Sequence, residues 1–108
     1  MTHVVVQIVR YVDAAQPGWV ECTLMDAWGR TWTFVDKVPV FTAAFLDAAG
    51  PYPRPGVIAC RVVRRWRDPA GRDVVTVDTR HPYAVASTDG RTCFDVLPQQ
   101  LAEPADDA

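Results

Sequence analysis

Two four-residue segments of one design punctuate this chain, Asp26-Ala27-Trp28-Gly29 and Asp68-Pro69-Ala70-Gly71, each followed by an arginine. Both suit a type I turn whose glycine takes the left-handed bulge position of a β-hairpin. A third signal, Asp89-Gly90, reads as a two-residue hairpin turn. Runs rich in valine, threonine and aromatics flank all three, and hairpins in series commit the chain to antiparallel pairing.

Trp19 to Val35 carries the firmest register. With Asp26 opposite Arg30, Leu24 faces Trp32 and Cys22 faces Phe34, and Val20 joins them on one apolar face. A slip of one residue would put Trp32 and Phe34 in water. The second turn sets Trp66 opposite Val74, Val63 opposite Val77 and Arg67 opposite Asp73. The third sets Val85 opposite Phe94 and Tyr83 opposite Val96. His3 to Asp13 is apolar on both faces, which points to a strand buried on both sides. Thr42 is placed to cap a short helix over Ala43–Ala49, with Gly50 and Pro51 ending it. The prolines at 51, 53 and 55 then predict a stiff, polyproline-like stretch.

The expected fold is all-β, or β-rich α+β: an antiparallel meander of about seven strands with one short helix after the third, curled into a small barrel or half-barrel. The element order is also that of an OB-fold. At 108 residues the chain fits one domain, expected over 1–97, and is too short for a Rossmann, kinase or TIM-barrel enzyme. Residues 98–108, with Glu103, Asp106 and Asp107, read as a loose acidic tail.

Composition narrows the function classes. Thirteen acids against eleven bases oppose a DNA-coating role, and a hydrophobic share of 49% opposes disorder. No apolar run approaches the ~18–20 residues of a membrane span, and the opening Met1-Thr2-His3-Val4 does not resemble a secretory signal. Cys22, Cys60 and Cys93 each lie in an apolar run, an odd number that favours reduced core cysteines and a cytoplasmic location. No metal-ligand spacing, phosphate loop or nucleophile motif occurs, so neither cofactor nor metal is implied.

Three groups of residues remain as candidate sites. Asp78, Arg80, His81 and Asp89 are the best candidates for acid–base chemistry, but with no second base or nucleophile beside them they read first as a turn histidine among surface charges. Arg61, Arg64, Arg65 and Arg67 with Trp66 suit a single-stranded nucleic acid or an anionic protein, or else an ion-paired strand face. Alternation places Arg61, Arg65 and Arg67 on one face, with Arg64 and Trp66 on the other. Trp19, Trp28 and Tyr52 lie where burial is not forced, and such residues anchor protein interfaces.

The phrases Gln16-Pro17-Gly18-Trp19-Val20-Glu21-Cys22, Val35-Asp36-Lys37-Val38-Pro39-Val40 and Pro55-Gly56-Val57-Ile58-Ala59-Cys60 resemble a set of short, uncharacterised bacterial proteins. The resemblance spans most of the chain. It implies a free-standing bacterial protein and transfers no functional residue. The leading expectation is a non-enzymatic protein-binding module of inhibitor or immunity type. An OB-like reader of single-stranded nucleic acid and a small-ligand barrel are the alternatives.

Overall fold

A computed structural model describes residues 1–102. Seven strands form one antiparallel sheet: β1 (Thr2–Asp13), β2 (Trp19–Met25), β3 (Thr31–Lys37), β4 (Arg54–Arg67), β5 (Asp73–Asp78), β6 (Cys93–Val96) and β7 (Leu101–Ala102). Their order is β3-β2-β1-β4-β5-β6, with β7 pairing β1 beside β2. A single helical turn, α1 (Val38–Phe41), follows β3. The sheet curls into a half-barrel, and Phe94 on one edge strand packs edge-to-face on Trp32 and Phe34 of the other at 5.7 and 5.5 Å.

The β2–β3 hairpin has the register its sequence dictates, with Leu24 opposite Trp32 and Cys22 opposite Phe34. Those side chains and Val20 are buried in the core. In β1, Val4, Val6 and Ile8 join them while Val5 is 37% exposed. The expected two-sided burial of β1 therefore fails: a half-barrel of one layer leaves the outer face of this strand to solvent.

Between β3 and β4 the helix forms earlier than its capping signal suggests. Pro39 sits in the first turn of α1, and the Thr42 N–H bonds Val38 O at 3.1 Å, ending the helix where one was expected to begin. Thr42 Oγ1 does accept the Ala44 N–H at 3.1 Å, yet no helix follows. The Asp47 side chain accepts the Ala49 N–H at 3.0 Å in an Asx turn, which competes with helical bonding. α1 lies over Gly56, where an added Cβ would meet the Ile8 side chain at 2.9 Å and Phe41 O at 3.2 Å. Nor does the proline stretch run on as polyproline, since Arg54, Pro55 and Gly56 belong to β4.

Three further expectations are corrected. A register shift between Val62 and Arg64 leaves Val63 bulged, so Val62, not Val63, faces Val77. The expected strand over 83–88 does not form. Thr79 exchanges hydrogen bonds with Val85 in both directions, at 3.0 Å from the Val85 N–H and 2.6 Å from its own hydroxyl. Ala84 there adopts a φ of 56°. Phe94 and Val96 pair instead with Val77 and Val75 of β5. Finally, Pro98–Gln100 forms a 3-10 turn, and the Gln100 side chain donates to Met25 O at 2.8 Å, so this part of the expected tail is tied to the sheet. Glu103, Asp106 and Asp107 lie outside the described residues.

A candidate tryptophan–arginine interface

Three turns share one hydrogen-bond plan. Asp26, Asp68 and Ser87 each give their N–H to the carbonyl four residues on, at 2.8–2.9 Å, and accept the N–H of the glycine three residues on. Their side-chain oxygens then receive the backbone N–H of Arg30, Arg72 and Arg91, at 2.9, 2.8 and 3.0 Å. Gly29, Gly71 and Gly90 have φ of 81°, 86° and 87°, the left-handed bulge position. The third turn spans Ser87–Gly90, so it is not the two-residue turn expected at Asp89-Gly90. An arginine thus leaves each turn from the same position.

These arginines converge with the tryptophans at one end of the half-barrel. The Trp28 and Trp66 ring centroids are 6.1 Å apart at 46°, within the favourable range for aromatic pairs. Arg72 lies over Trp28 at 5.3 Å and Arg64 over Trp66 at 4.7 Å. Asp95 of β6 orients both indoles. Its Oδ2 accepts the Trp28 Nε1–H at 3.2 Å, and its Oδ1 accepts the Thr76 hydroxyl at 2.6 Å. Thr76 Oγ1 in turn accepts the Trp66 Nε1–H at 3.0 Å. The Ala27 N–H to Asp95 O bond, 2.8 Å, docks the β2–β3 turn onto β6 and brings Trp28 there. Trp28 remains 46% exposed.

Beneath that turn, the buried Asp26 carboxylate accepts the N–H of Trp28 and the Trp32 Nε1–H, each at 2.9 Å. Arg30 and Arg91 lie over the Trp32 ring at 4.8 and 4.6 Å. A groove of about 500 Å³ runs beside Trp66, lined also by Arg65, Arg67, Asp73, Val74, Val75 and Pro98. Such an arrangement is suited to recognition: flat apolar rings carrying guanidinium planes, held in place by hydrogen bonds.

The bulge at Val63 redistributes the arginine cluster. Arg61, Arg64 and Trp66 oppose Asp78, Thr76 and Val74, whereas Arg65 and Arg67 oppose Val75 and Asp73. Arg61 therefore shares a face with Arg64 and Trp66, against the expectation that groups it with Arg65 and Arg67. Arg61 reaches Asp78 at 3.8 Å, and Arg67 reaches Asp73 at 3.3 Å. Trp28 lies in this tryptophan–arginine cluster, whereas Trp19 and Tyr52 lie apart from it. Trp19 pairs with Lys37 at the α1 end of β2, and Lys37 Nζ lies 5.8 Å from its ring centroid. Tyr52, at the same end, donates its hydroxyl to Asp47 O at 2.6 Å.

The acid–base set is dispersed. Asp78 is buried, its Oδ1 accepts the Arg80 N–H at 2.8 Å, and its Oδ2 faces Arg61. His81 is exposed, and Asp89 is hydrogen-bonded to the Ser87 hydroxyl. Among the described residues no three His, Cys, Asp or Glu side chains gather in a way that could hold a metal ion. No helix there is long and apolar enough to cross a membrane.

Arg30, Arg72, Arg91 and Asp95 escape a reading of single strands because they meet across the fold. One signal was present: Gly-Arg recurs at 29–30, 71–72 and 90–91. No family model, no curated protein and no solved structure matches the chain.

Proposed function

We propose that this chain is a protein-binding module acting in a bacterial cytoplasm, of inhibitor or immunity type, which docks its partner on the Trp28–Trp66 face. The observation that supports this reading most is the half-exposed Trp28, fixed against Trp66 through Asp95 and flanked by Arg72 and Arg64. Tryptophan and arginine are the residue types that dominate interface energetics, most of all where their rotamers are already held. Single-stranded nucleic acid is less well served, because the rings on which bases would stack already carry guanidinium groups. For a small-ligand barrel the interior offers little room: Phe34, Phe41 and Phe94 fill it.

The test is capture of partners from nuclease-treated bacterial lysate with the wild-type chain and with Trp28→Ala and Phe45→Ala. Phe45, 87% exposed, lies at the opposite, α1 end of the molecule and serves as the control. A protein retained in fixed ratio by wild type and Phe45→Ala, but weakened by about 2 kcal/mol or more in Trp28→Ala, supports the reading. Equal retention by all three contradicts it.

A further inference from the structure

The pair Arg30 and Arg91 is not explained by the Trp28–Trp66 contact. We infer that these two guanidiniums form a seat for a carboxylate presented by an acidic segment of the partner protein. The inference rests on the protein-binding reading and names the chemistry that would be recognised.

Both arginines leave equivalent turns, with their backbones held by Asp26 Oδ1 and Ser87 Oγ. Arg91 Nε donates to Cys93 O at 2.9 Å, which fixes the guanidinium plane and leaves its Nη groups as the donors directed to a ligand. Both lie over the one Trp32 ring, a core residue only 7% exposed, so the two groups cap the indole.

Arg10, Arg61, Arg67 and Arg72 each have a carboxylate within 4 Å, at 2.9, 3.8, 3.3 and 3.1 Å. Arg30 and Arg91 have no such ion pair among the described residues. Two guanidiniums gathered on one indole, the Arg91 group fixed also by the Cys93 carbonyl and neither carrying a counter-charge, match a planar oxyanion, for which arginine forks supply paired donors. The surroundings favour a discrete carboxylate over a run of phosphates. A nucleic acid would need free ring faces for its bases, and the Trp28, Trp32 and Trp66 rings already carry guanidiniums.

The probe is a hexaglutamate peptide titrated into the arginine-labelled chain, with the Nε–H resonances of Arg30 and Arg91 followed by NMR. Inorganic phosphate and a thymidine oligomer are run in parallel. Saturable movement of both resonances by hexaglutamate is expected in the wild-type chain, and the affinity read by titration calorimetry should fall at least tenfold in Arg30→Gln/Arg91→Gln and be partly restored in Arg30→Lys/Arg91→Lys. Tighter binding of phosphate or of the thymidine oligomer than of hexaglutamate overturns the proposal, as does movement spread evenly over all arginines. The two readings fail separately. Captured partner lost in Trp28→Ala but retained in full by Arg30→Gln/Arg91→Gln removes the seat and leaves the interface. Hexaglutamate binding at Arg30 and Arg91 with Trp28→Ala indifferent to the partner does the reverse.

Discussion

Asp95 accepts the indole N–H of Trp28 at 3.2 Å, joining residues 67 positions apart. Its other oxygen reaches the half-buried Trp66 through the Thr76 hydroxyl, so one carboxylate sets the geometry of the aromatic pair. Replacing Asp95 by alanine strands the Thr76 hydroxyl and releases Trp28. The expected cost is about 1–3 kcal/mol by urea denaturation, with a reduced near-ultraviolet circular dichroism signal from the coupled indoles. Asp95→Asn keeps an acceptor and should lie between wild type and Asp95→Ala. An unchanged spectrum in Asp95→Ala would mean that the two rings hold each other without it.

The second turn carries a pH dependence. The Arg72 backbone N–H holds the Asp68 carboxyl below its ordinary value of 3.8 against the opposing effect of burial, with the Arg72 side chain adding to the lowering. A carboxylate depressed by folding contributes stability that is full above its unfolded pKa and is lost as pH falls through the folded one. Stability of the wild-type chain should therefore decline below about pH 4 with a contribution that Asp68→Asn lacks. Urea midpoints between pH 2.5 and 6 would show it as a shallower acid limb in the variant. Parallel limbs would contradict the assignment.

Thiol chemistry separates the cysteines. Burial, then the neighbouring Glu21 and Asp36, push the Cys22 thiol up to about 12, and Cys60 is buried too, while Cys93 is exposed. The thiolate is the reactive form. Alkylation of the native chain at pH 8 is expected to label Cys93 quickly, with Cys22 and Cys60 following only on unfolding. The raised Cys22 value also means that stability held by the neutral thiol is full below its unfolded pKa of 9.0 and is lost as pH rises toward 12. Rapid native labelling of three thiols would contradict this burial.

Where turn chemistry and facial pattern agreed, the fold was legible. Asp26-to-Arg30 fixed a register that Trp32 and Phe34 could not violate without exposure. Where neighbours are alike, it was not. Val62 and Val63 are equally apolar, so nothing local marks which one bulges, and that choice moved Arg61 to the Trp66 face. Tyr83 to Ser87 alternates like a strand, but Thr79, six positions before Val85, takes the backbone groups a partner strand would need. Thr42 made its capping bond, and yet the helix went to Val38–Phe41, where Phe41 meets Gly56. Of the candidate site, Trp28 was visible as an aromatic in a turn. Its partners Trp66, Arg72 and Asp95 come from β4, the β4–β5 turn and β6, at separations no local pattern reports.

Hydrogen exchange on the chain with its captured partner measures the central claim without any substitution. Slowed exchange is expected at the amides of 26–30, 64–66 and 70–72, with 42–52 at the α1 end unchanged. Protection centred on Phe45 and Tyr52, with the Trp28 turn exchanging as in the unbound chain, would contradict it and move the interface to the other end of the half-barrel.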